Sequence, residues 1–203
     1  MTSDGPFPED PTETRVEILK ATDAALRRHG YADLTIDRIS REFPKSKSLL
    51  YHHYDSKDEL LLDFLGYLLT SFEDGLGLDP DASPHERLTT LLNRVLDPAS
   101  DRDDDAFRRA ITELRVQGAS DEAYRQQFTE HDRLLRDRMA DIVAEGVEAG
   151  VYREVDPDQV AAMLHTLASG SMVQTATSDA DARAAVRAEL DAYFEHRLLA
   201  DGR

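Results

Sequence analysis

The sequence contains no cysteine, which excludes disulfides, thiolate nucleophiles and cysteine-ligated zinc. No apolar run approaches the ~18 residues of a membrane-spanning helix. The first residues, Met1 to Thr14, are acidic and proline-bearing, unlike the basic and apolar start of a signal peptide. The expectation is a cytoplasmic protein without a transmembrane helix. Gly-rich phosphate loops, nucleophile elbows and helical His-Glu-x-x-His motifs are missing too. Carboxylate runs such as Asp103-Asp104-Asp105 read as solvated surface in a chain with 41 acidic residues. An enzyme is therefore not expected, nor is a cofactor.

Basic residues are few, 24 in all, so the formal charge is −17. That charge argues against a polyanionic partner until its distribution is considered. Thr12 to Lys57 carries nine basic and seven acidic side chains, about +2, and the remainder carries about −19. All the lysines (Lys20, Lys45, Lys47, Lys57) fall in that first segment. Aspartate outnumbers glutamate and arginine far outnumbers lysine, a mix similar to proteins of salt-loving organisms. In molar salt the Debye length is about 3 Å, which largely erases long-range repulsion from a polyanion. The same salt weakens phosphate contacts through counterion release.

With 203 residues, 40% of them hydrophobic, the chain can bury a real core. Residues 1–11 read as a flexible tail with Pro6, Pro8 and Pro11. A first helix starts near Thr14, whose spacing to Glu17 fits a capping box. Its apolar face is Ile18, Leu19, Thr22, Ala25, Leu26 and His29, and Gly30 can supply a left-handed cap. Thr35 can cap a short helix carrying Ile36, Ile39 and Phe43. Pro44-Lys45 forms a turn, and Ser46 can cap a third helix from Lys47 to about His53. Ser56 and Glu59 make a second capping box, opening a long helix through Leu60, Leu61, Phe64, Leu68 and Phe72. Residues 75–84 are a break. Helical patterns follow at roughly 85–97, 104–118, 121–149, 157–177 and 180–199, and no segment alternates like a strand. The predicted fold is all-α: a three-helix helix-turn-helix domain (12–60) joined by a long helix to a larger helical domain (61–203).

Within that frame, a recognition helix must be short and exposed, with side chains that reach bases or phosphates. Leu50 is the inward anchor, leaving Lys47, Ser48, Tyr51 and His52 for exposed faces. Lysine can bind guanine acceptors or phosphate; serine, tyrosine and histidine can bind phosphate oxygens. Lys57 lies in the first turn of the long helix, where the dipole favours an anion. His52 and His53 are adjacent on a helix and do not face each other, so no metal site is expected there.

The stretch LTIDRISREFPKSKSLLYHHYDSKDEL, Leu34 to Leu60, resembles the signature of TetR-family (tetracycline-repressor-like) transcriptional regulators. That pattern runs roughly T-x-x-x-I-A, a glycine-centred turn, S-x-x-x-L-Y-x-Y-F, then x-S-K-x-x-L. The resemblance implies a dimeric, sequence-specific DNA-binding repressor released by a small-molecule effector. Its partners would be double-stranded DNA, with a near-palindromic operator, and a second copy of the chain. It puts Thr35, Ser46, Lys47, Ser48, Leu49, Tyr51, His52, His53 and Lys57 at DNA-facing positions, and Tyr54 where an aromatic residue packs. Two departures stand out: Pro44-Lys45 replaces glycine and an apolar residue in the turn, and Leu49 replaces a small polar residue. Proline cannot adopt positive φ, so this turn must use another geometry.

The larger domain is read through its apolar stripes. Residues 157–177 are apolar or small nearly all round, implying burial on more than one side. With Val186, Leu190, Tyr193, Phe194 and Leu198 they could form half of a four-helix bundle with a second subunit, as the resemblance implies, or a central helix in a monomer. Tyr124, Phe128, His131, Leu135, Met139 and Ile142 form one stripe, and Phe107, Ile111 and Leu114 another. By resemblance such stripes surround an effector pocket, giving Phe107, Ile111, Arg115, Tyr124, Phe128, His131, Leu135, Met163 and Leu167 as candidate ligand contacts, with His165 a weaker addition. A competing reading is an adaptor whose helix-turn-helix binds protein instead of DNA.

Overall fold

The computed structural model describes residues 14–96, 102–179 and 182–200. The predicted tail, residues 1–11, lies outside them, as do the side chains of Phe107 and Asp103 to Asp105. Among the described residues the chain forms nine α-helices and no named strand: α1 (Thr14–His29), α2 (Ile36–Glu42), α3 (Lys47–His53), α4 (Lys57–Asp74), α5 (Pro84–Leu96), α6 (Arg102–Gln117), α7 (Glu122–Glu148), α8 (Pro157–Thr177) and α9 (Arg183–Tyr193). A single π turn, Phe194–Leu198, closes the series.

The helix ends follow local chemistry, with instructive exceptions. Gly30 takes φ 71° and donates its N–H to Leu26 O at 2.8 Å, the left-handed cap expected of it. Thr14, in contrast, is already helical, and its hydroxyl accepts from Lys45 Nζ at 3.3 Å. Glu17 also pairs with Lys45. The Ser56 hydroxyl accepts the Glu59 N–H at 3.1 Å, but Glu59 Oε2 accepts from Asp55 N–H at 2.7 Å, so the box closes one residue further upstream. A reciprocal box that the sequence reading overlooked opens α5. There Glu86 Oε2 accepts from the Ser83 N–H at 2.9 Å, and the Ser83 hydroxyl accepts the Glu86 N–H at 3.3 Å.

Packing divides the chain into two compact units that do not follow chain order. Of the described residues, one comprises 14–75 and 102–128, the other 76–96, 129–179 and 182–200. In the first unit α1 packs on α2, α4 and α6, burying Ile18, Leu19, Ala25, Leu26, Ile39, Leu60, Leu61 and Phe64. The Glu113 carboxylate on α6 accepts the Tyr31 N–H at 2.8 Å, and Gln127 Nε2 donates to Leu62 O at 3.1 Å. The helices α6 and early α7 thus complete the core around the helix-turn-helix.

In the second unit α5 packs on α8. Gly146 on α7 lies so close under the Tyr152 ring that a Cβ there would sit 2.2 Å from a ring carbon. Tyr152 is itself pinned by its N–H to Gly146 O at 2.9 Å and by an isolated antiparallel bridge to Leu199.

Candidate nucleic-acid interface

The third helix owes its exposure to one residue pointing inward. Leu50 is 1% exposed, whereas Tyr51, next in sequence, is 52% exposed. A seven-residue helix anchored through one leucine leaves the rest of its circumference open. Ser46, Lys47, Ser48, His52 and His53 are exposed, and Leu49 is half-buried. The open face therefore carries an ammonium group, two hydroxyls, a phenol and two imidazoles. Such groups can meet phosphate oxygens and base edges.

Ser46 occupies the N-cap position of α3 with extended geometry, φ −71° and ψ 144°, but its hydroxyl makes no capping bond. The Thr35 side chain caps α2, accepting the Arg38 N–H at 3.2 Å. Lys57 is half-buried, its Nζ 4.7 Å from the centre of the Tyr31 ring. The departing turn is accommodated without left-handed backbone. Phe43, pushed toward extended geometry by the following proline, takes φ −83° and ψ 125°, and no described non-glycine residue has positive φ. Lys45 leaves the turn to reach Glu17 and Thr14 on α1. The His52 and His53 rings meet edge to face at 5.9 Å, and no group of metal-ligating side chains is present among the described residues.

A polar network fixes the far end of α3. The Tyr54 hydroxyl donates to Asp63 Oδ2 at 2.5 Å, and Arg15 grips both Asp63 oxygens at 2.9 and 2.7 Å. Burial pushes the Asp63 carboxyl up, but the hydrogen bonds from Arg15 and Tyr54 outweigh it and hold it below the usual carboxylate range. Burial and the Asp63 bond push the Tyr54 phenol well above its ordinary value. Tyr54 is buried, as its packing role required, and it also links the end of α3 to α4 and α1.

Sequence reasoning missed two carboxylates here. Asp37, in the first turn of α2, pairs with Lys47, and Asp63 organises the network just described. Asp37 is an acid where donors to DNA are sought, and Asp63 meets Arg15 only across 48 positions of sequence.

The candidate ligand contacts are less unified. Ile111, Tyr124 and Phe128 are buried in the first unit, where the Arg115 guanidinium lies 4.4 Å from the Phe128 ring centre. Burial raises the Tyr124 phenol above its ordinary value. His131 and Leu135 are buried in the second unit, and His165 there stands 3.5 Å from Asp132. Met163 and Leu167 do not join them: both are exposed on α8, where the helix turns Val160, Leu164 and Ala168 inward instead. Apolar stripes on one helix cannot by themselves say which side a neighbour covers.

Residues 18–64 match the family described as bacterial regulatory proteins, tetR family, and residues 84–199 match the BetI-type transcriptional repressor C-terminal domain. The crystal structure of a TetR transcription regulator from Haloarcula marismortui is 34% identical, with a TM-score of 0.83 over 91% of this chain and 98% of that one. The HTH-type transcriptional repressor AcnR of Corynebacterium glutamicum is 24% identical over 170 residues, 83% of this chain and 85% of the relative. A putative transcriptional regulator from Saccharomonospora viridis, solved in complex with choline, shares the fold at 22% identity, with a TM-score of 0.80 over 94% of this chain and 100% of that one. With its exposed recognition helix inside one matched segment and more than half its length inside the other, the chain belongs to the TetR family of helix-turn-helix transcriptional repressors.

Proposed function

We propose that two copies of the chain bind a near-palindromic operator, each presenting α3 to a major groove, and that a small-molecule effector releases them. The observation carrying the proposal is the open face of α3, where Lys47, Ser48, Tyr51 and His52 stand around the Leu50 anchor. Two such helices in a dimer would read half-sites about one helical turn, 10–10.5 base pairs, or a multiple of it apart. Pairing through the last helices is supported by α8, which leaves Met163, Leu167, Gly170 and Val173 exposed at helical spacing. An apolar face of this kind on a water-soluble helix is what a second subunit would cover.

The effector contacts we propose are Ile111, Arg115, Tyr124 and Phe128, all within the first unit. An effector acts only through its different affinity for the DNA-bound and released arrangements. Choline, bound by the Saccharomonospora relative, is one small molecule to include in a screen for release.

The decisive experiment pairs Lys47→Ala with Tyr51→Ala. Operator fragments selected from genomic DNA should no longer be retained by the double variant, while its sedimentation stays that of the wild-type dimer. Undiminished retention would favour an adaptor that binds protein.

A further inference from the structure

On the open side of the helix-turn-helix, the cation best placed to meet DNA is already taken. Lys47 Nζ donates to Asp37 Oδ1, and the two side chains are 47% and 67% exposed. The same ammonium lies 5.5 Å from the centre of the Tyr51 ring, so it sits between a carboxylate and an aromatic residue that itself faces solvent. The hydrogen bond from Lys47, assisted by the nearby Arg41 charge, holds the Asp37 carboxyl below the usual carboxylate range, and Asp37 in turn raises the Lys47 ammonium above its own. Asp37 also stands in the first turn of α2, where the helix dipole favours a negative charge. Other cations of this region are engaged in the same way: Arg28 with Glu42, Arg38 with Asp33 and Lys45 with Glu17. Of these pairs, only Lys47–Asp37 has its cation on α3 itself.

We propose that Asp37 is a built-in competitor for operator phosphate, holding Lys47 in the free protein and surrendering it on DNA. The inference rests on the reading that α3 faces DNA, and it adds an anionic residue that sets affinity and salt response. When a phosphate takes Lys47, Asp37 is left facing a polyanion without its cation. Over the pair, the net charge brought to the duplex is zero. A phosphate contact made by a free lysine releases about 0.9 of a condensed cation and steepens the log affinity against log salt plot by that amount. The Lys47–Asp37 pair contributes almost nothing to that slope. Binding becomes weaker at low salt and less sensitive to added salt, and base edges and duplex shape carry a larger share of the discrimination.

The test uses the full-length protein and fluorescein-labelled mixed-sequence duplex DNA, titrated at several potassium chloride concentrations. Asp37→Asn, nearly isosteric, should tighten binding about three- to tenfold at low ionic strength and steepen the salt slope by about 0.9. The gain should fade toward molar salt, where screening leaves only about 3 Å of Debye length. Lys47→Ala should cost more in the Asp37→Asn background than in wild type, since there the lysine is unopposed. Asp37→Ser, which removes the charge with a different shape, should behave like Asp37→Asn, and unchanged circular dichroism secures the fold of each.

Unchanged affinity and slope in both Asp37 variants, with Lys47→Ala still weakening binding, would overturn the competitor and leave the DNA-facing reading intact. Lys47→Ala without effect in either background would overturn both. A loss of affinity in Asp37→Asn would make Asp37 itself a DNA contact, accepting from cytosine, and would also overturn the proposal.

Discussion

Removing the Tyr54 hydroxyl should cost more than removing the Arg15 charge, although Arg15 makes two bonds to Asp63 and Tyr54 makes one. The Arg15 side chain is 45% exposed, and water competes for both of its bonds. An exposed pair of this kind contributes about 0.2–1 kcal/mol. Tyr54 is buried, and its hydroxyl donates to a charged carboxylate at 2.5 Å. Hydrogen bonds to charged groups contribute about 1.5–3 kcal/mol, and partial exposure of Asp63 favours the lower end, about 1.5 kcal/mol. At about 2–4 °C per kcal/mol for a chain of this size, Tyr54→Phe should lower Tm by about 3–6 °C, and Arg15→Met by about two-thirds of that or less. Urea unfolding should rank the two variants in the same order.

Salt and pH sharpen that comparison. One molar potassium chloride should erase most of the Arg15→Met difference and leave most of the Tyr54→Phe difference. The Asp63 carboxyl is depressed in the folded state, so its stabilisation is complete above the unfolded carboxylate value and is lost as pH falls through the folded one. The Tyr54→Phe difference should therefore hold from neutral pH down to about pH 4–5 and shrink below it. An Arg15→Met variant less stable than Tyr54→Phe in low salt would refute the argument that burial, and not the number of bonds, decides the ranking.

Two glycines near the end of α7 separate packing from backbone strain. Gly146→Ala should destabilise by about 1–2 kcal/mol net in denaturant titrations, because crowding against the pinned Tyr152 ring outweighs the helix propensity gained. Gly150→Ala meets no atom within 4 Å but keeps φ 70°, so about 1 kcal/mol of left-handed strain is the whole effect. Glu113→Ala should cost about 1–2 kcal/mol by leaving the Tyr31 N–H without its carboxylate, and faster hydrogen exchange at that amide would locate the loss. Leu167→Glu should convert a dimer to a monomer in sedimentation while leaving helix content unchanged, because the side chain is already exposed on α8.

Much of the fold could be read from the sequence because helix periodicity and caps are local properties. Gly30, Thr35 and Ser56 mark helix ends that the chain uses, and Leu50 and Tyr54 turn inward as their spacing requires. What escaped was long-range. Glu113 is 82 positions from the amide it satisfies, and Asp63 is 48 from Arg15, so no window on the sequence contains either pair. Met163 and Leu167 were grouped with a pocket because α8 is apolar nearly all round, and periodicity cannot rank the sides of such a helix. Asp37 escaped for a different reason. It was within reach of any scan, but an acid is not what a search for DNA contacts collects.

The interleaving of the two units limits how this regulator can be dissected or recombined. A gene fragment stopping after α4 would strip the DNA-reading helices of α6 and the start of α7, exposing the flank of α1 and the amide of Tyr31. Chimeras that exchange sensing modules at that seam would inherit a foreign α6 against a resident α1. Grafts that carry residues 101–128 along with the reader, and cross over inside α7, keep both partners of every such contact together.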